Sequence, residues 1–186
     1  MKKLLIITAH SKKEGTAQIL ADAFELGIDQ TKYKIEHLNA YNLNLPICEG
    51  DLEDGSLPDS VKDFQKKWTE ADVLAFFMPN WWGISPAPLA DIMNWVTNKI
   101  AIFAGGKPKP LMTGKKVIWV TTGAAPKIFR KFLFKINPEI WGKYIFSFSG
   151  AKFKSYYFDR ALTGQGKNHL AWEAKMKKVG EGLNGD

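Results

Sequence analysis

Three short segments carry residue types suited to holding an anion and a flat ring. The first is Thr8-Ala9-His10-Ser11-Lys12-Lys13-Glu14-Gly15-Thr16-Ala17-Gln18. It offers hydroxyls at Ser11 and Thr16, an imidazole at His10, and, if a helix starts here, backbone N–H groups at Thr16, Ala17 and Gln18 pointing at one spot. A helix start favours an anion through its unpaired donors and its dipole. Two readings stand: a phosphate site, or a helix simply capped by Thr16. No Walker-type G-x-x-x-x-G-K-[S/T] run occurs in the chain, and the segment lacks G-x-G-x-x-G spacing, which disfavours direct Rossmann-type dinucleotide binding. The second segment is Pro79-Asn80-Trp81-Trp82-Gly83. Two indoles in a loop are costly unless they cover a flat apolar partner, which a stacked aromatic cofactor, the core or a dimer contact would each supply. Gly83 permits close backbone approach, and Pro86 and Pro88 stiffen the turn. The third, Thr121-Thr122-Gly123-Ala124-Ala125, is small and backbone-rich. Its N–H groups suit a ring carbonyl or an anionic ring nitrogen, although small residues also end many strands.

The elements that must position these segments are legible as periodicities. Leu4 to Ala9 is a short apolar run between polar residues, the pattern of a buried strand. Thr16 to Gly27 places Ile19, Leu20, Ala23 and Phe24 on one helical face, with Gly27 suited to the C-terminal end. Tyr33 to Leu38 alternates as a second strand. Asn39 to Ser60 is turn-rich and reads as a surface loop, and Asp59 or Ser60 can cap a helix carrying Val61, Phe64, Trp68 and Ala71. Asp72 to Met78 is nearly all apolar, as in a strand covered on both faces. Leu89, Ile92, Met93 and Val96 mark a helix, and Lys115 to Thr122 a fourth strand. Pro138 can open a helix from Glu139 to about Phe148, Lys152 to Phe158 is a fifth strand, and Trp172, Met176, Val179 and Leu183 mark a C-terminal helix.

This alternation predicts an α/β fold: a flavodoxin-like, five-stranded parallel sheet in the order 2-1-3-4-5, with helices on both faces and one domain over residues 1–186. The Asp51–Ser60 and Gly105–Pro110 stretches read as loop excursions. In such a sheet ligands bind beyond the carboxyl ends of the strands, where the three segments converge.

Composition is that of an ordinary globular chain: 186 residues, 45% hydrophobic and 24% charged. One cysteine, Cys48, excludes an internal disulfide and points to a reducing, cytoplasmic setting. No apolar run approaches the roughly 20 residues of a membrane span. His10, His37 and His169 lack metal-ligand spacing, so no metal is expected. The net charge of +7 is uneven: residues 101–160 carry +10, residues 1–100 carry −4. That excess is either a solvated lysine surface or a field for an anionic partner. No nucleic-acid motif accompanies it. As a helix, Pro126 to Ile136 would separate Ile128, Phe129, Phe132, Leu133 and Ile136 from Lys127, Arg130, Lys131 and Lys135, a pattern of packing over the site or of docking on an anionic membrane surface.

Together the three segments resemble the flavodoxin-like NAD(P)H:quinone oxidoreductase family, the group of mammalian NAD(P)H quinone reductase and bacterial modulator-of-drug-activity-type reductases. Ala9-His10-Ser11 resembles its A-H-[P/S] start, and Pro79 to Ala87 its P-x-x-W-[F/W]-x-x-P-A stretch with one residue more. Asp91 to Val96 resembles the helix that follows, and Thr121-Thr122-Gly123 its T-T-G-G loop. The resemblance spans roughly residues 3–150. It implies a bound flavin, FMN or FAD, with His10, Ser11, Thr16, Ala17 and Gln18 on the phosphates. Pro79, Asn80, Trp81, Trp82 and Gly83 would lie along the ring edge, and Thr122, Gly123 and Ala124 on its pyrimidine side. It further implies a homodimer and hydride transfer from NAD(P)H through the flavin to a quinone-like acceptor, with ping-pong kinetics from one shared pocket. Lys127, Arg130 and Lys131 are candidates for the phosphates of the nicotinamide donor. Three departures stand out. One extra residue lies between His10 and Thr16, and Ala124 replaces a glycine. Phe129 and Lys135 occupy the places of a tyrosine and a histidine, so the resemblance still implies Phe129 among the flavin-binding residues, but the proton relay of other members does not carry over and no catalytic residue is assigned. The competing expectation is a flavin-binding ancillary subunit of a potassium-efflux-type transporter, or an electron carrier, with little turnover of its own.

Overall fold

The computed structural model describes residues 1–11, 15–50, 57–126, 138–159, 161 and 167–185. Its centre is a five-stranded parallel sheet built from β1 (Lys2–Thr8), β2 (Tyr33–Asn39), β3 (Val73–Pro79), β6 (Lys116–Thr122) and β7 (Lys152–Phe158), in the order β2-β1-β3-β6-β7. This is the expected 2-1-3-4-5 order, because β4 (Ala101–Ala104) and β5 (Lys107–Pro110) stand apart as an antiparallel pair. That pair corrects the reading of Gly105–Pro110 as a loop. Gly105 and Gly106 both take positive φ, +63° and +81°, and make a two-residue hairpin turn.

The helices are α1 (Thr16–Glu25), α2 (Asp59–Glu70), α3 (Ala87–Trp95), the single turn α4 (Thr97–Ile100), α5 (Pro138–Ser147) and α6 (Lys167–Glu181). Strand β3 explains why both faces need cover. Leu74, Phe76 and Met78 point to one side and Val73, Ala75 and Phe77 to the other, and every residue of the strand is buried. The first side packs against Phe64 and Trp68 of α2, Ile92 of α3 and Phe146 of α5. Phe76 lies 4.8 Å from Trp119 and 5.8 Å from Trp68, ring centre to ring centre. The second side packs against Leu20 and Phe24 of α1 and Met176 of α6. Burying each such side chain contributes about 1.5–3 kcal/mol, so this sheet is a stiff base for its loops.

Two expected helix ends differ. The residue before α2 is Pro58, and Asp59 is the first helical residue, placing its carboxylate in the first turn. Helix α1 ends at Glu25 with Leu26 as its cap, and Gly27 has no left-handed role there. Its role is close packing against the backbone of α6 at Lys177. A 3₁₀ turn, Ala40–Asn42, opens the long loop after β2.

Lys115 ties β6 to the end of α2. Its Nζ donates to the Thr69 carbonyl at 2.6 Å and to that of Ala71, the carbonyls a helix C-terminus leaves open. Burial pushes the pKa of this ammonium below the ordinary lysine value, so desolvation offsets part of the gain. Lys115→Met is therefore expected to cost about 1 kcal/mol, read as a lower urea midpoint at unchanged m-value.

Candidate functional site

The carboxyl ends of β1, β3 and β6 lie side by side, and their outgoing chains are tied to one another. The Ala9 N–H donates to the Phe77 carbonyl at 2.9 Å, continuing the β1–β3 ladder past Thr8. The Asn80 N–H donates to the Thr122 carbonyl at 2.6 Å, continuing the β3–β6 ladder past Pro79. The three outlets thus occupy two inter-strand spacings, about 10 Å.

The β1 outlet leads into α1 through His10 and Ser11. Asn39, the last residue of β2, holds it: the Asn39 side-chain amide donates to the His10 carbonyl at 3.0 Å, and its oxygen accepts from the Tyr41 N–H at 2.9 Å. Sequence reasoning missed Asn39. Its signal was an asparagine ending a strand ahead of a turn. Gly15 is the N-cap of α1, in extended geometry, and no side chain caps the helix. Thr16 is thus the first helical residue, which removes the reading of it as a cap. The first turn holds no acidic residue. A Cβ on Gly15 would stand 2.6 Å from Nδ1 of His10, so the imidazole lies directly against the helix start. The Gln18 N–H donates to the Gly15 carbonyl at 2.8 Å, and its side-chain amide donates to Asp22 at 2.7 Å. This corrects its inclusion among the free donors, which are the amides of Thr16 and the buried Ala17, two positions a helix cannot satisfy itself.

The β3 outlet is a tight hairpin turn. Trp81 and Ile84 exchange both backbone hydrogen bonds, each 3.1 Å long. Between them Trp82 has φ +56° and Gly83 φ +88°, the signature of a type I′ turn. The Asn80 side-chain oxygen accepts from the Gly83 N–H at 2.8 Å and closes the loop. The turn throws its apolar side chains outward: Trp82 is 97% exposed, Trp81 45% and Ile84 62%. The twin indoles are therefore not core residues. A bulky residue at positive φ costs about 1–2 kcal/mol. Strain and exposure coincide at Trp82, while Pro79 beneath it is buried.

The β6 outlet is held from the far side. The Gly123 N–H donates to the Phe158 carbonyl at 2.9 Å, and the Gly123 carbonyl accepts from Ala161 at 3.0 Å. The amide of Gly123 is thereby committed to the sheet, a correction to its expected part as a donor to a ring. Thr122 is buried and Ala124 exposed. The Tyr157 hydroxyl, another residue sequence reasoning missed, donates to the Ala125 carbonyl at 3.0 Å. A Cβ on Gly123 would stand 2.4 Å from that hydroxyl oxygen, which accounts for glycine there.

Phe129 and Lys135, the proposed donor-binding Lys127, Arg130 and Lys131, and all but the first residue of the amphipathic Pro126–Ile136 stretch lie outside the described residues. Cys48 sits beside Leu57, Val61 and Trp95, and its N–H donates to Asp91 at 3.0 Å. His37 pairs with Glu25 at 2.8 Å, and His169 packs on Trp172. Among the described residues no helix is long and apolar enough to cross a membrane.

The residues present fit a phosphorylated planar group: the β1 outlet leads through His10 and Ser11 to an uncapped helix start with free amides, and the neighbouring β3 outlet carries an exposed aromatic pair. Comparison with solved structures extends the fold. An azoreductase from Bacillus anthracis str. Sterne matches with a TM-score of 0.82 at 16% identity, over 97% of this chain and 99% of that one. An FMN-dependent NADH-azoreductase from Bacillus anthracis str. Ames Ancestor, in complex with FMN, matches with a TM-score of 0.80 at 14% identity, over 99% and 100%. An NAD(P)H:quinone oxidoreductase from Methanothermobacter marburgensis matches with a TM-score of 0.73 at 15% identity, over 98% and 96%. A search of curated proteins gave no match. The family model described as flavodoxin-like fold matches residues 2–181, nearly the whole chain, and with the sheet order and outlet geometry above it identifies this protein as a member of that family.

Proposed function

We propose that this protein is a flavin-dependent oxidoreductase that uses NAD(P)H to reduce a quinone or an azo compound, with FMN the favoured flavin and FAD the alternative. The observation that carries this reading is that the β3 outlet, which bears the strained and exposed Trp82, neighbours the β1 outlet, which leads into the uncapped start of α1. The names of the similar structures, NADH-azoreductase with FMN and NAD(P)H:quinone oxidoreductase, favour the same chemistry. In this reading the amides of Thr16 and Ala17 and the hydroxyls of Ser11 and Thr16 hold the phosphate, with His10 against it. Trp81 and Trp82 cover the ring and exclude water, Asn80 and Gly83 keep the turn in shape, and Thr122 to Ala124 border the opposite edge. When bound, FMN supplies a centre that takes up a hydride and passes on two electrons. Donor and acceptor share one open face, so the donor must leave before the acceptor enters, and ping-pong kinetics follow. The exposed Trp81, Trp82 and Ile84 also favour a homodimer that covers them.

Titration of the purified chain with FMN is expected to quench flavin fluorescence at micromolar affinity. The loaded protein is expected to oxidise NADH or NADPH with menadione or an azo dye, giving parallel double-reciprocal lines. Quenching without turnover above that of free flavin would favour the regulatory or electron-carrier reading. Absence of binding to both FMN and FAD would overturn the proposal.

A further inference from the structure

We propose that the groove between the edge strand β7 and helix α6 is a second anion site, built for a compact polyphosphate. Five lysines line it: Lys116 at the start of β6, Lys152 and Lys154 on β7, and Lys175 and Lys178 on α6. The spacing explains the cluster. Lys152, Lys154 and Tyr156 alternate along β7 and so share one face, and Lys175 and Lys178 are three apart and share one side of α6. Ile118, Val179 and Leu183 supply an apolar floor. The cavity holds about 430 Å³, within the range of small-molecule sites.

Two features separate this groove from an ordinary solvated lysine surface. Among the described residues no carboxylate lines it. A second lysine-rich groove, beside β1 and α2, mixes Lys3, Lys34, Lys66 and Lys67 with Glu36, Asp63 and Glu70, and there Lys3 pairs with Glu70 at 2.6 Å and Lys67 with Glu36. In the β7 groove Lys116 and Lys152 are register partners on neighbouring strands, a like-charge pairing that disfavours the sheet on its own. Lysines on an edge strand protect it from pairing with other chains, which accounts for Lys152 and Lys154. It does not account for Lys175 and Lys178, which come from a helix. Lys175 reaches back to β7, with Nζ 5.5 Å from the centres of the Tyr156 and Phe158 rings. Burial raises the Tyr156 pKa, so the phenol stays a neutral hydrogen-bond donor beside an anion. Lys116 and Lys152 lie at the amino ends of their strands, whereas the outlet site lies at the carboxyl ends. The two sites are therefore distinct, and this one draws on part of the basic excess of residues 101–160.

Sodium tripolyphosphate is the probe, added at low salt to isotopically labelled protein saturated with FMN. Amide resonances of Lys154, Tyr156, Lys175 and Lys178 are expected to shift saturably, with micromolar affinity that weakens steeply as salt rises. The double variant Lys154→Glu, Lys178→Glu is expected to weaken this binding at least tenfold while leaving FMN affinity unchanged. Shifts confined to Ser11–Gln18, equal affinity in the variant, or equally tight binding of sulfate would each overturn the proposal, the last by making the site one for an adventitious ion only. Binding to phosphatidylglycerol vesicles that tripolyphosphate fails to displace would also overturn it, in favour of a membrane contact. The wild-type shifts decide the matter even if the variant folds poorly.

Discussion

Gly180→Ala is expected to lower the midpoint of thermal unfolding by roughly 6–12 °C, the equivalent of about 3 kcal/mol of overpacking in a chain of this size. A Cβ on Gly180 would stand 2.2 Å from the Phe24 carbonyl oxygen, and one on Gly27 would stand 2.1 Å from that of Lys177. Both obstacles are backbone, so no side chain can swing aside. The two helices are further locked by Asn184, whose side chain accepts from the Asp29 N–H and donates to the Gly27 carbonyl, each at 2.9 Å. Relief requires α6 to move away from α1, opening the packing around Phe24 and Met176. Because α1 also carries the amides of Thr16 and Ala17, its displacement is expected to weaken FMN binding as well. Gly182→Ala is the control: its Cβ would meet nothing closer than 3.4 Å, and a change within about 0.5 kcal/mol is expected. A Gly180→Ala melting midpoint within roughly 2 °C of wild type would mean that the helices do not cross this closely.

How much of this was readable beforehand depends on the range of the interaction. The all-apolar run in β3 and the helical faces around Phe64 and Ile92 are local patterns, and they located the main sheet, its order and the three outlets. The β4–β5 hairpin was missed because Pro108 and Pro110 argue against a strand. Gly105-Gly106 was the opposing signal, and it prevailed because Pro108 and Pro110 fall at the non-hydrogen-bonded positions of this two-stranded ladder, opposite Phe103 and Ala101, where no N–H is needed. The contact of Gly27 with α6 joins residues some 150 positions apart, and no local pattern separates a packing glycine from a capping one. The site shows the same division. Residue types marked out His10, Thr16 and Trp82, but which amides were free depended on the path of the backbone. Gln18 and Gly123 spend theirs on Gly15 and Phe158, and Asn39 entered the site only through a neighbouring strand.

Trp82 offers the sharpest test of the site, because fold and function there make opposite demands. Type I′ turns prefer Asn-Gly at their two central positions, and this chain has Trp-Gly. Trp82→Asn keeps the turn, relieves a bulky residue at φ +56°, and removes a side chain that is 97% exposed and so contributes almost no packing. Stability is expected to rise by about 1 kcal/mol, or roughly 2–4 °C in melting midpoint measured without flavin. The same change is expected to weaken FMN binding at least tenfold, since stacking on an aromatic face is lost. Trp82→Phe keeps a ring at the same backbone strain, so its melting midpoint should match wild type and its FMN affinity should fall less than threefold. A variant that gains stability and loses its ligand would place Trp82 in the site for what it binds rather than for what it holds together. If Trp82→Asn binds FMN as tightly as wild type, the exposed indole serves another surface, and the phosphate cradle at α1 must be assigned without it.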